Sequence, residues 1–216
     1  MITMTKVAIL GAAGQVSGYL INDLLNNTHV DLNLLARNGK QRIHVKDPNR
    51  EQVFDGDFND EKSLLPAIKG ADLVYVDNMS SPAATKTIVK AMDDAGTKRI
   101  VCMNILGTRN EVPGKFGKWN EMMIGPSIKK HAKTAKIIED SDLNYTNMRV
   151  TWLYNQDGNL KYEVTGQDEP LKSAQITRQA VAKFVCDLIQ NDKPRYQHKS
   201  IGLGEPNTDF AKPSFY

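Results

Sequence analysis

A chain of 216 residues, 40% of them hydrophobic, can fill the core of one α/β domain, and its formal net charge of +3 is too mildly basic to argue for a nucleic-acid partner. Its two cysteines, Cys102 and Cys186, fall inside an expected strand and helix and read as small buried hydrophobes, so neither a disulfide framework nor a metal site is expected. No apolar run approaches a membrane span and the first residues lack a basic-then-apolar leader, so a cytoplasmic protein without a membrane partner is expected.

The first element is a strand over 6–10, whose apolar run Val7-Ala8-Ile9-Leu10 ends directly on Gly11 and Gly14. Tyr19, Leu20, Ile21, Leu24 and Leu25 then recur at helical spacing, predicting a helix over 15–25. Strands follow at 30–37 and 52–56. Asp60 reads as the N-cap of a helix that ends at Gly70, with Leu64, Leu65 and Ile68 on its apolar face. A strand over 72–76 leads to a helix opened by Ser81-Pro82 and stopped by Gly96, and then to a strand over 99–105. Residues 107–125 break the rhythm with glycines, a proline and Trp119, and read as a lid or binding loop. A helix over 127–140, a strand over 145–149, an amphipathic helix over 177–190 and a strand over 199–203 complete the pattern. This alternation predicts a doubly wound parallel sheet, a Rossmann fold, over residues 1–205, with a small C-terminal substrate-side region and a tail over 206–216.

The junction at 10–15 carries the first chemistry. Strand, glycine turn and helix are the opening half of a dinucleotide-binding unit. A pyrophosphate must approach main-chain N–H groups at a helix N-terminus, and a Cβ at the closest positions would block it. The spacing is Gly-x-x-Gly, with Ser17 where a third glycine is usual and Gly18 one residue later. The competing reading is a tight turn without a ligand.

The end of the second strand chooses the dinucleotide: a carboxylate there accepts from the ribose of NAD, whereas an arginine pairs with the 2′-phosphate of NADP. The chain reads Leu34-Leu35-Ala36-Arg37-Asn38, without a carboxylate and with Arg37 23 residues after Gly14, which favours NADP(H) over a merely solvated basic loop. Asp57 and Phe58, after the third strand, suit the adenine, the alternative being a turn and helix cap. Asn78 and Met79, after the fourth, suit the ribose.

Together GAAGQ, LLARN and DGDFND, with the later segments SDLNYTNMRVTW and AQITRQAVAK, resemble the atypical short-chain dehydrogenase/reductases, of the NmrA-like and flavin reductase (biliverdin-IXβ reductase)-like kind. The resemblance runs from about residue 6 to 204. It implies that Gly11, Ala13, Gly14, Gln15 and Val16 hold the pyrophosphate, Arg37 and Asn38 the 2′-phosphate, and Asp57 and Phe58 the adenine. It also implies that Met103 and Asn104 line the active site while Val150, Thr151 and Trp152 flank the nicotinamide.

The departures bear on mechanism. Standard members use a tyrosine four residues before a lysine as proton donor, and none of the seven tyrosines here has a lysine four residues on. Asn104 stands for the family serine, Val150 for proline and Gln179 for aspartate. No catalytic residue is assigned. His131, within Lys129-Lys130-His131, is either a proton donor or part of a solvated cationic face. Trp119 and Trp152 suit a wall that stacks a flat acceptor, joined by Tyr154 and by Met122 and Met123, for which core packing is the better reading. Two functions follow: an NADPH-dependent reductase that passes hydride to a planar flavin- or quinone-like acceptor, and a non-catalytic NADP(H) sensor of the NmrA-like kind. A sugar epimerase fits poorly, because it needs the absent tyrosine. A pocket open above the nicotinamide favours the enzyme; one filled by the 107–125 segment favours the sensor.

Overall fold

In the computed structural model, which describes residues 5–191 and 194–216, Val7 and Ile9 face one apolar core while Ala8 and Leu10 face another. A strand with both faces buried needs helices above and below it, and that requirement organises the whole chain. Helices α1 (Gln15–Asn27) and α6 (Arg178–Gln190) cover one face. Helices α3 (Glu61–Ile68), α4 (Pro82–Ala95) and α5 (Gly114–Glu139) cover the other. The strands are β1 (Lys6–Leu10), β2 (Asp31–Ala36), β3 (Glu51–Asp55), β4 (Leu73–Val76), β5 (Arg99–Ile105), β6 (Asn144–Val150), β8 (Glu163–Thr165) and β10 (Lys199–Gly204), in the order β3-β2-β1-β4-β5-β6-β10-β8. All described pairings in this sheet are parallel except that of β8, which closes one edge antiparallel to β10. The chain leaves β1 toward β3 and returns to β4 on the other side of β1. The topological switch point therefore lies between β1 and β4, where ligands enter such sheets at the strands' carboxyl ends.

Asp60, Ser81 and Gly96 bound their helices where the sequence places them, and Thr177, read as the first residue of its helix, is instead its N-cap. Asp60 accepts from Lys62 N–H, Ser81 from Ala84 N–H and Thr177 from Ala180 N–H, and Gly96 takes the left-handed conformation that ends α4.

The 107–125 segment is a loop only as far as residue 113. Helix α5 begins at Gly114 and runs to Glu139, with a kink at Ile124 (φ −134°, ψ 15°) just before Gly125-Pro126. Proline lacks an N–H and crowds the preceding turn, which breaks the helix there without ending it. Gly117 is a close-approach position, since a Cβ would collide with the Val112 carbonyl oxygen. Several short elements escape the sequence reading, the edge strand β8 among them. A four-residue helix α2 (Gly39–Arg42) follows β2, and β7 (Trp152–Tyr154) pairs in parallel with β9 (Gln175–Thr177) as a separate ribbon. Three-residue strands are too brief for a period to show. A small third core of Leu106, Phe116, Leu171 and Ala174 lies under this ribbon.

Candidate functional site

At the switch point the turn after β1 is pinned to the sheet: Gly11 N–H and Ala12 N–H both donate to the Leu35 carbonyl, at 2.9 and 3.0 Å. Gly11 has φ +90°, a conformation that favours glycine. Gly14 caps α1 without any side-chain oxygen of its own, so the amides of Gln15 and Val16 head the helix where no carbonyl lies a turn back to receive them. The side chain of Gln15 is exposed and that of Val16 is buried in the core, so only their main chains face the turn. A Cβ at Gly14 would collide with the carboxylate of Asp77 and lie 3.1 Å from the Gly11 carbonyl oxygen. Asp77 follows β4 and accepts from the Tyr75 hydroxyl at 3.0 Å. Burial pushes its carboxyl up to about 6, the hydrogen bond from Tyr75 pulling the other way.

From this turn a cleft of about 460 Å³ extends over the ends of β2 and β3, lined by Gly11, Ala13, Gly14, Arg37, Asp57, Phe58, Asp77 and Asn78 among others. Arg37 is exposed and, among the described residues, no carboxylate holds it in an ion pair. Arg42, one turn on in α2, also lines the cleft and donates to the Arg37 carbonyl at 3.1 Å. Asn38 adopts the left-handed conformation (φ 53°) as N-cap of α2 and is exposed beside the cleft, not among its lining residues. Asp57 accepts from the backbone and side-chain N–H groups of Asn59, both at 2.8 Å, and these bonds, the backbone one foremost, hold its carboxyl below the usual range. Met79 is a correction: it is 2% exposed and packs in the core, while Asn78, Ser80 and Ser81 turn toward the cleft.

The carboxyl ends of β5 and β6 are built differently. Met103 is partly buried against the α1/α6 core. Asn104 is buried and occupied: its Oδ1 accepts from Ile105 N–H at 2.8 Å and from His131 Nδ1 at 2.7 Å, while its Nδ2 donates to the His131 carbonyl and to Thr134 Oγ1. The Ile105 N–H fixes which end of the amide is oxygen, so Nδ1 of His131 carries the proton and Nε2 the lone pair in the neutral ring. His131 is half-buried, not on a solvated face, and burial and then Lys130 lower its pKa. Val150 is a core residue whose carbonyl receives Leu106 N–H. The buried Thr151 hydroxyl lacks a hydrogen-bond partner.

Trp119 and Trp152 meet at 4.9 Å between ring centroids, and the Trp152 indole N–H donates to Asn120 Oδ1 at 2.9 Å. Tyr216 stands edge-on to both, 5.1 Å from each, and Phe215 stacks on Tyr154. The 205–216 segment, not 107–125, therefore covers this wall. Met122 and Met123 are exposed, neither wall nor core. A buried ion pair that the sequence does not announce braces the region: Arg149 Nη1 lies 3.0 Å from Glu111 Oε1. The two Glu111 oxygens also accept from the backbone N–H groups of Gly107 and Arg109.

A glycine cradle that a Cβ would fill, a free guanidinium at the end of β2 and an orphaned hydroxyl beyond β6 together fit a dinucleotide. The family model described as NAD(P)H-binding matches residues 11–192. A short-chain dehydrogenase/reductase from Veillonella parvula DSM 2008, crystallised in complex with NADP, is 32% identical. It aligns with 98% of this chain and 100% of its own at a TM-score of 0.94. A Rossmann-fold NAD(P)-binding family protein from Shigella flexneri is 30% identical, with a TM-score of 0.81 over 99% of this chain and 100% of its own. An uncharacterized sugar epimerase of Bacillus subtilis (strain 168) is 25% identical over 219 residues, 96% of this chain and 97% of that protein. The chain belongs to the NAD(P)H-binding family, among the short-chain dehydrogenase/reductases. Among the described residues no helix is long and apolar enough to cross a membrane.

Proposed function

We propose that this protein is an NADPH-dependent oxidoreductase that passes hydride to a planar acceptor of the flavin or quinone class. The observation that carries the reading is the pairing of a dinucleotide cleft, ended by a free Arg37, with an aromatic wall of Trp119 and Trp152 that follows the carboxyl end of β6 in the same sheet. Gly11, Ala13 and Gly14 would hold the pyrophosphate against the head of α1, Arg37 the 2′-phosphate, Asp57 and Phe58 the adenine, and Thr151 the far end. The bound nicotinamide supplies the hydride, and the protein supplies orientation and a site shielded from water. Flavins and quinones can take their proton from solvent, which suits a chain without a tyrosine–lysine pair. Neutral His131, its Nδ1–H held by Asn104, presents Nε2 as an acceptor and not as an acid. The crystallised Veillonella complex supports NADP as the preferred nucleotide.

A second reading, a non-catalytic NADP(H)-binding regulator, is favoured by one specific feature. Tyr216 already stands against both tryptophans where an acceptor would stack.

Titration of NADPH and NADH into the wild-type chain and Arg37→Ala tests the cofactor reading. NADPH should bind more tightly, and the variant should lose roughly 1.5–3 kcal/mol for NADPH alone, the range of a charge-assisted contact. Equal affinities untouched by the substitution would remove Arg37 from the site. For the acceptor, the chain's two tryptophans are both in the wall, so quenching of tryptophan emission by a flavin or quinone reports that site alone. NADPH oxidation by the same compound completes the case, whereas tight NADPH binding with no oxidation by any of them favours the regulator.

A further inference from the structure

The head of α1 holds an anion of the protein's own. Gly14 offers no side-chain cap, and the carboxylate of Asp77 reaches over from the end of β4 and fills the space a side chain at position 14 would take. Its neighbours are known from every element that packs on it. Tyr75, from the same strand, donates its hydroxyl to Oδ1 at 3.0 Å. Ser17, buried in the first turn of α1, brings a hydroxyl that lacks a hydrogen-bond partner. The glycine turn contributes main chain, and the Phe58 ring lies beside Gly11. Among the described residues no lysine or arginine forms an ion pair with Asp77; Arg37, Arg42 and Asp57 line the same cleft.

Helix heads bind anions through unpaired N–H groups and the local dipole, so an ionised Asp77 both occupies and repels at the place a pyrophosphate needs. A neutral carboxyl no longer repels, and its O–H can donate to a phosphate oxygen. We propose that Asp77 binds the dinucleotide in its protonated form, so that each nucleotide entering the glycine turn brings a proton with it. This inference rests on the dinucleotide reading of the cleft. The neutral form is within reach near pH 7 because burial already pushes this carboxyl up to about 6 in the free protein.

The experiment is titration calorimetry of NADPH and of NADH at pH 7 in two buffers of different ionisation enthalpy, for wild type and Asp77→Asn. Wild type should take up a large fraction of a proton per nucleotide more than the variant. The 2′-phosphate of NADPH titrates in the same range but is common to both chains, and NADH lacks it, so the difference reports the carboxyl. Wild-type affinity for NADH should fall as pH rises above 6, by roughly tenfold per unit at the steepest, while Asp77→Asn stays flat. Tyr75→Phe keeps the carboxyl and removes one donor to its ionised form. The pH midpoint should therefore move upward, a result that holds even if Asp77→Asn folds poorly. Equal proton counts and parallel pH profiles in wild type and Asp77→Asn, with binding intact, would overturn the proposal and leave the cofactor reading standing. Absence of binding by either nucleotide to the folded wild-type chain would overturn both.

Discussion

The two ends of the sheet's carboxyl edge are made by different means. The nucleotide end is assembled from residues just past successive parallel strands, Gly11–Gly14 after β1, Arg37 after β2, Asp57 after β3 and Asp77 after β4. Its geometry follows from strand order, and its surface is polar and open. The aromatic end draws on segments far apart in the chain: the first half of α5, the β7–β9 ribbon and residues 205–216. It is aromatic and covered, and it depends on a buried ion pair. A doubly wound sheet thus supplies a nucleotide site as a by-product of its topology, whereas an aromatic wall has to be added to it.

The sharpest way to break this contrast is to remove the brace. Glu111→Gln leaves the Arg149 guanidinium, which is 0% exposed, without its counter-ion. Removal of one partner from a buried pair costs about 3–5 kcal/mol, whereas exchange of both for apolar groups can be nearly neutral. Denaturant unfolding should therefore show Glu111→Gln as the most damaging substitution, and Glu111→Leu combined with Arg149→Met as much milder. If the ends are independent, any folded variant keeps wild-type NADPH affinity. A parallel loss of nucleotide binding would show that the brace serves both ends.

A smaller effect belongs to the nucleotide end. The Asp77 carboxyl lies at about 6 in the folded chain, above its ordinary value of 3.8, so the native state holds the proton longer than the unfolded one. Stability contributed by this group is accordingly lost as pH rises from about 4 to 6 and stays lost above, by about 2 kcal/mol at most after allowance for solvent access. Other carboxylates titrate in the opposite sense, Asp57 and Asp72 among them, so the measurement is the difference between wild type and Asp77→Asn in urea unfolding across pH 4–8. A difference that does not change with pH would mean that the carboxyl is solvated like any other.

The same contrast sets what the sequence reveals. Strand ends, caps and the arginine switch are local signals, and β5 runs over the residues that its apolar run marks out. Asp60, Ser81 and Thr177 cap as their chemistry dictates. The first half of α5 is illegible because its cues are ambiguous. Gly114, Gly117, Gly125 and Pro126 spell a loop locally, yet Gly117 is there for close contact with Val112 and Pro126 only kinks the helix. Met79 and Asn78 could not be told apart, since the side to which a residue turns just beyond a strand depends on the tertiary path. Glu111 and Arg149 lie 38 positions apart with no pattern to link them, and Tyr216 shows nothing of its stacking partners.

The finest test concerns that stacking. Tyr216 is exposed yet touches both tryptophans edge-on. Such aromatic pairs contribute about 0.5–1.5 kcal/mol beyond their buried area, so Tyr216→Ala should lower stability by roughly 1 kcal/mol. Tryptophan emission should shift to the red as water reaches Trp119 and Trp152. If the tyrosine stands where a planar acceptor stacks, the variant should bind a flavin or quinone several-fold more tightly while its NADPH affinity is unchanged. Weaker acceptor binding in Tyr216→Ala would make the tyrosine a third side of the acceptor's own cage, and the covered wall would then be a finished binding surface that wants its tail in place.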